Sequence, residues 1–154
     1  MRGLFRGLAT LGPVGYLPVA PATGGSAVVA LIGWFVPVPP LAVALAFLVV
    51  GAIVAVVIAG EAEKDLGHDA KPIVVDEAVG QSLALLFVPH TIAAFTASFL
   101  LFRIFDVWKP LGANQAQRLP GGLGVVADDV VAGLTACGAL HLGLWAARAV
   151  GAPV

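Results

Sequence analysis

The sequence predicts an all-α fold: a compact helical membrane protein built from helical hairpins with short or broken helices and a single C-terminal span. We expect one domain over residues 1–154. Hydrophobic residues make up 60% of the chain and charged residues 11%, and the mean hydropathy of +1.01 lies far from values typical of soluble domains. Apolar runs approach the roughly 20 residues that a helix needs to cross a bilayer, and prolines interrupt them.

Composition also excludes several classes of protein. The net charge of −1 gives no basic surface for nucleic acid, so we expect no nucleic-acid partner. A single cysteine provides neither a disulfide framework nor a cysteine-rich metal site. The membrane itself is therefore the partner that composition indicates.

The N-terminal part predicts an interfacial segment followed by an irregular loop. Residues 1–10 form an amphipathic pattern, whereas residues 12–26 hold three prolines and four glycines, and we expect no continuous helix there. This loop is either a plain surface loop or an anion-binding loop in which Thr23 and Ser26 contribute hydroxyl groups.

The first hairpin is predicted from two apolar runs. Residues 27–36 are too short to span, and residues 41–59 are of about spanning length. Three prolines between them force a turn, and the acids that begin at Glu61 end the second run.

A second hairpin is predicted at Pro89, which lies near the middle of a long apolar run. We expect arms at residues 78–88 and 92–107, because a single span would separate Asp76 and Glu77 from the charges after residue 102. Both arms must then be buried in protein or enter the bilayer only partway. With two hairpins, one face carries seven basic residues and is predicted to be cytoplasmic: Arg2, Arg6, Lys64, Lys71, Arg103, Lys109 and Arg118.

The remaining charges lie at the ends of apolar helices. Arg103, Asp106 and Lys109 share one helical face. Asp128 and Asp129 lie about one turn into a helix predicted to start after the glycines at 121–124 and to continue as the apolar segment 130–150. An intrahelical salt bridge would explain the first set, and a favourable helix dipole would explain Asp76 and Glu77. Neither explains the adjacent Asp128 and Asp129, whose carboxylates repel unless a proton or a cation intervenes. Oxygen ligands alone favour Mg²⁺ or Mn²⁺ over zinc.

Four motifs, in order, resemble the phosphatidylglycerophosphatase A family over nearly the whole chain. Ala22 stands where the family usually has glycine, and Leu111-Gly112-Ala113 replaces a Trp-Pro-Ile type segment. The four motifs are Gly15-Tyr-Leu-Pro-Val-Ala-Pro-Ala-Thr-Gly-Gly-Ser26, Asp69-Ala-Lys-Pro-Ile-Val-Val-Asp-Glu-Ala-Val-Gly80, Phe102-Arg-Ile-Phe-Asp-Val-Trp-Lys-Pro110 and Gly121-Gly-Leu-Gly-Val-Val-Ala-Asp-Asp-Val-Val-Ala-Gly133.

The resemblance implies a Mg²⁺-dependent lipid phosphatase of the bacterial inner membrane, with its active site on the cytoplasmic face. Its substrate would be phosphatidylglycerophosphate, whose terminal phosphomonoester is hydrolysed to give phosphatidylglycerol and phosphate. The metal ligands expected are Asp76, Glu77, Asp106, Asp128 and Asp129, of which Asp76, Glu77, Asp106 and Asp129 are also the catalytic candidates. The substrate-binding candidates are Lys109, Arg103, Arg118, Thr23 and Ser26.

Two other classes stay open. A phosphatidyltransferase is a second Mg²⁺-dependent enzyme of phospholipid synthesis, but its spaced aspartates in an Asp-Gly and Ala-Arg context are missing. A small cation channel or carrier would line its path with buried acids. For the hydrolase, direct attack by water is favoured over a phosphoenzyme, because the Asp-x-Asp motif of aspartyl phosphatases is absent.

Overall fold

Seven α-helices and one short 3₁₀ turn, at Val14–Tyr16, make up the regular structure in a computed structural model that describes residues 2–109 and 111–152. Met1 and Pro110, which the predicted segments include, lie outside those residues. No strand occurs in the part of the chain that is described, so the all-α prediction is confirmed. The helices are α1 Arg2–Ala9, α2 Pro21–Phe35, α3 Leu41–Leu66, α4 Val75–Ala84, α5 Ile92–Trp108, α6 Ala113–Ala116 and α7 Gly122–Ala149.

Two of these helices, α3 and α7, are long and apolar enough to cross a membrane. The 26 residues of α3 extend about 39 Å at 1.5 Å per residue, more than the ~30 Å of hydrocarbon in a bilayer. Large apolar side chains on its outer side are exposed, and Phe47 reaches 80% exposure. Such a surface is stable in lipid and unfavourable in water, as expected for a helical membrane protein.

The prediction of an irregular loop over residues 12–26 is wrong from Pro21 onwards. Pro21 is the first residue of α2, where a helix needs no backbone N–H donor, so proline starts the helix instead of breaking it. Gly25 then packs against α4: a Cβ there would lie 3.1 Å from the Cβ of Val74. The glycines therefore serve close helix packing.

α2 and α3 follow one another across the predicted proline turn, but they do not pack as a hairpin: α2 packs against α4 and α5, and α3 packs against α1, α4 and α7. α3 is also longer than the apolar run. α3 continues through the charged residues to Leu66, and an i,i+3 ion pair joins Lys64 to Glu61 on its surface. The helix ends at Gly67, whose φ of +97° suits glycine.

The second hairpin is present, with its turn at residues 85–91. The Ser98 hydroxyl donates to the carbonyl of Ala84 at 2.8 Å, which ties the start of α5 to the end of α4. Thr91 caps α5 by accepting the N–H of Ala94 at 3.2 Å. The predicted arm at 78–88 is shifted, because α4 begins at Val75 and ends at Ala84, before the turn.

Small residues hold α7 against its neighbours. A Cβ on Gly122 would lie 3.0 Å from the Cα of Gly60 in α3, and one on Gly133 would lie 3.0 Å from the Cα of Gly80 in α4. Phe102 of α5 is fully buried and packs in one cluster with Ala132 and Ala136 of α7. The hydrophobic effect does not drive helices together inside a bilayer, because lipid is as apolar as their side chains. Membrane helices therefore associate through close packing of this kind.

Candidate active site

Five carboxylates from α4, α5 and α7 meet inside the helix bundle. One oxygen from each of Asp76, Glu77 and Asp129 lies within 4.8 Å of the others. The same spacing holds for Asp106, Asp128 and Asp129, so Asp129 belongs to both groups. We call these two groups together the acid cluster.

The local structure of each helix explains this meeting. Asp76 and Glu77 occupy the first turn of α4, and Asp128 and Asp129 occupy the second turn of α7. α5 runs back alongside α4, so its last turn brings Asp106 to the same end. The two acid pairs therefore share one site, as the predicted second hairpin requires.

The acid cluster is unstable as a set of bare charges. Asp76, Glu77, Asp128 and Asp129 are each at most 8% exposed. Each also has a buried oxygen without a hydrogen-bond partner among the residues that the structure describes: Asp76 Oδ1, Glu77 Oε2, Asp128 Oδ1 and Asp129 Oδ2. A buried polar atom without a partner normally costs about 1–3 kcal/mol, and more if charged.

The same buried environment shifts the pKa values of the carboxylates in α4. Burial, reinforced by the charge of Glu77, raises the pKa of Asp76 well above its usual value. Burial also raises the pKa of Glu77. Burial thus outweighs the charge of Arg103, which acts to lower the pKa of Glu77, and a divalent cation would favour the ionised carboxylates further. The buried oxygens without partners and the all-oxygen ligand set thus fit a cation site.

Two basic side chains border the acid cluster. Arg103 pairs with Asp106 at 2.8 Å, and its Nη1 also lies 3.5 Å from the Ser26 hydroxyl of α2. Lys109 pairs with Asp128. Burial alone would lower the pKa of Lys109, but its hydrogen bond to Asp128 and the nearby carboxylate charges raise it, so the lysine stays charged.

The side chain of Lys109 does not extend freely from the end of α5. The residue ends α5 in a left-handed conformation, with φ of +51°, and this turn carries its side chain to Asp128 of α7. Arg103 pairs with Asp106 as the sequence spacing suggests.

Two of the substrate-binding candidates, Thr23 and Arg118, lie outside these contacts. Thr23 is half-buried in α2, and the structure gives it no side-chain hydrogen bond within residues 2–109 and 111–152. Arg118 is exposed between α6 and α7 and forms no ion pair with any other described residue. His68 contacts Glu63 on the surface and does not join the acid cluster.

Two residues near the cluster were not predicted from sequence. Gln81, on α4, is fully buried, and neither polar atom of its side-chain amide has a hydrogen-bond partner among the described residues. It follows Glu77 by four residues and therefore lies on the same side of α4. Asp69 accepts a hydrogen bond from Gln117 at 2.6 Å, and its charge acts on Lys109 and Asp128. The available signal for Gln81 was a glutamine within an apolar helix, and that for Asp69 was its place at the start of the second family motif.

Comparison with known proteins gives one family and several relatives. The family model of phosphatidylglycerophosphatase A matches residues 7–144. A phosphatidylglycerophosphatase A from Escherichia coli is 32% identical over 82% of this chain and 76% of its own length. A Bacteroides thetaiotaomicron protein, provisionally named a phosphatidylinositol-3-phosphatase, is 38% identical over 78% of this chain and 80% of its own. No solved structure gives a significant match.

Proposed function

Since the chain belongs to the phosphatidylglycerophosphatase A family and is a phosphatase, we propose that it hydrolyses the terminal phosphomonoester of phosphatidylglycerophosphate. The products would be phosphatidylglycerol and inorganic phosphate. The observation that carries this proposal is the acid cluster, in which two groups of carboxylates share Asp129 beside Arg103 and Lys109. Opposite charges at one place suit a reaction that needs both a cation and a bound phosphate.

We propose Mg²⁺ as the cation, held by Asp76, Glu77, Asp106, Asp128 and Asp129. Hard oxygen ligands without histidine or cysteine favour Mg²⁺ over zinc, and Asp129 would serve both groups. When bound, the metal would neutralise phosphoryl oxygens and lower the pKa of water.

The basic residues would bind the phosphate itself. Arg103 presents its guanidinium between Asp106 and the Ser26 hydroxyl, so its orientation is set before substrate binds. Lys109 lies next to Asp128 and stays protonated, which suits it to neutralise charge that develops on the phosphoryl group. Burial of the carboxylates excludes bulk water and strengthens each of these interactions.

The proposed location in the cell rests on the distribution of basic residues along the chain and on the bacterial relatives. We propose the bacterial inner membrane, with the acid cluster at the cytoplasmic face, because the basic residues other than Arg148 occur in the segments at that end. A phospholipid headgroup at this interface would meet the N-terminal ends of α4 and α7 and the C-terminal end of α5.

A second lipid substrate has a specific observation in its favour. The Bacteroides thetaiotaomicron relative is named for action on a phosphoinositide, which also carries a phosphomonoester on a polyol headgroup. The same cation and the same basic residues would serve either headgroup, so the comparison has to be made with both lipids.

Phosphate release by the purified protein tests the proposal. We expect release from phosphatidylglycerophosphate in detergent with Mg²⁺, little release after chelation, and slower release from phosphatidylinositol 3-phosphate. Faster hydrolysis of the phosphoinositide would reverse the order of the two substrates. Cation flux in liposomes without phosphate release from either lipid would instead favour a channel or carrier.

A further inference from the structure

An apolar groove runs along α3 and α4 from the end of the bundle that holds the acid cluster. Its first part, of about 200 Å³, lies between α3 and α4 and reaches Val75, the residue before Asp76. Its second part, of about 400 Å³, lies between α2, α3 and the 85–91 turn. Both parts share Phe47, Leu48 and Ser82, so they form one continuous depression that we call the acyl groove.

We infer that the acyl groove binds one acyl chain of the lipid whose headgroup is hydrolysed at the acid cluster. This inference rests on the proposed function, since it concerns the substrate of that same site. It assigns a binding surface to α3 and to the side of α4 that faces away from Asp76 and Glu77.

The lining of the groove favours hydrocarbon over a polar ligand. Apart from Ser82 and His90 its side chains are apolar, and both of these already have partners. The Ser82 hydroxyl donates to the carbonyl of Ala78 at 2.7 Å, and His90 Nε2 lies 2.7 Å from the carbonyl oxygen of Trp34. The proton of the Ser82 hydroxyl and the Nε2 of His90 are therefore engaged within the protein.

The groove is long enough to extend through the full depth of one leaflet of the bilayer. Along α3 it extends from Ile58 to Val43, which is about 22 Å at 1.5 Å per residue. One leaflet of hydrocarbon is roughly 15 Å thick, half of the ~30 Å core. At the far end, His90, Phe95 and the 85–91 turn line the groove, and the ring of Trp34 contacts both His90 and Phe95.

The two sides of α4 face different parts of the site. Val75, Ala78 and Ser82 face the groove, whereas Asp76 and Gly80 face α7. The headgroup therefore has to pass the first turn of α4 to reach the carboxylates, while the chain stays on the α3 side. Small residues keep the groove open beside α3, and Gly51 has nothing within 4 Å of where its Cβ would be.

The test fills the groove at Gly51 without disturbing the bundle. Gly51→Leu should fold, because leucine has a better helix propensity than glycine and the space is open. Gly143→Leu is the matched control, since Gly143 is exposed on α7, also has open space, and lies outside the groove. Val43→Trp narrows the deeper part from an exposed position and serves as the second variant.

The measurement is the ratio of kcat/KM for phosphatidylglycerophosphate with long chains to that with hexanoyl chains, in bilayer nanodiscs. We expect Gly51→Leu and Val43→Trp to lower this ratio about tenfold through KM, as if about two methylene groups lost their contacts. Gly143→Leu should keep the wild-type ratio.

Each outcome of this measurement supports or overturns the acyl groove. An unchanged ratio in both folded groove variants would overturn the acyl groove. If kcat/KM falls by the same factor for the long-chain and the hexanoyl lipid, the ratio is unchanged and the substitution has only a structural effect. If the wild-type protein hydrolyses neither form, the proposed function fails and this inference fails with it. Thermal unfolding in detergent establishes that each variant is folded before the ratio is compared.

Discussion

The backbones of Gly80 and Gly133 are in direct contact, so that a Cβ on Gly133 would lie 3.0 Å from the Cα of Gly80 and closer still to its carbonyl group. Asp76 and Asp129 each precede their glycine by four residues, about one helical turn. The crossing of α4 and α7 at these glycines therefore sets the separation of the carboxylates in the acid cluster.

Adding a methyl group at this crossing should destabilise the protein. Gly133→Ala would press into the backbone of α4 and is expected to lower the free energy of unfolding by about 1–3 kcal/mol, the usual range for overpacking. Gly138→Ala, in the same helix with nothing within 4 Å, should be neutral or stabilising. Thermal unfolding of both variants in detergent checks this, and equal midpoints would contradict the close contact.

Removing divalent cations should lower thermal stability as well as activity. A cation that binds the folded acid cluster and not the unfolded chain stabilises the protein, by about 2.7 kcal/mol at a hundred times its Kd. We therefore expect the unfolding midpoint to fall on chelation and to recover in proportion to added Mg²⁺. A midpoint that is indifferent to chelation and to Mg²⁺ would argue against a cation at the acid cluster.

Asp129→Asn should affect both groups of the acid cluster, because Asp129 is the residue they share. We expect at least about a hundredfold loss of turnover and a weaker Mg²⁺-induced rise in the unfolding midpoint. The apo variant should remain folded, since a buried carboxylate with an unpartnered oxygen has been replaced by a neutral amide. Asp65→Asn, at a carboxylate paired with Arg2 on the surface, is the control and should retain wild-type turnover.

Lys109→Met should separate phosphate binding from cation binding. Losing a cation that stabilises the phosphoryl group is expected to reduce turnover by about a hundredfold. Mg²⁺ affinity should be retained or rise, because the variant leaves Asp128 without its positive partner. Lys64→Met, at an exposed lysine paired with Glu61, is the control. Loss of Mg²⁺ binding in Lys109→Met, measured by titration calorimetry, would show instead that the lysine only positions Asp128.

The loops at either end of the second hairpin should lie on the same side of the membrane. Gln117 donates to Asp69 at 2.6 Å, so the segment before α7 touches the segment before α4. In a Cys137→Ala background, His68→Cys and Gln115→Cys, both at exposed positions, should react with the same membrane-impermeant reagent from the cytoplasmic side. Labelling of one position in intact cells and of the other only in inside-out vesicles would contradict the hairpin arrangement.

Much of the fold follows from local properties of the chain. The apolar runs predict α2, α3, α5 and α7, and Pro89 predicts the turn between α4 and α5, because proline and apolar content act within a few residues. The start of α2 was misplaced, since the same proline can break a helix or begin one. In this chain Pro21 begins α2, and Gly25 in the next turn packs against Val74.

The sequence by itself determined that five carboxylates and two basic residues stand at the ends of apolar helices, because such charges are rare there and need partners. Only the tertiary structure decided which partners they have. Asp129 is shared by two groups and Lys109 contacts Asp128, which is 19 residues away along the chain. These pairings depend on where α4, α5 and α7 cross, and the crossings are set by contacts between residues far apart in sequence, such as Gly80 and Gly133.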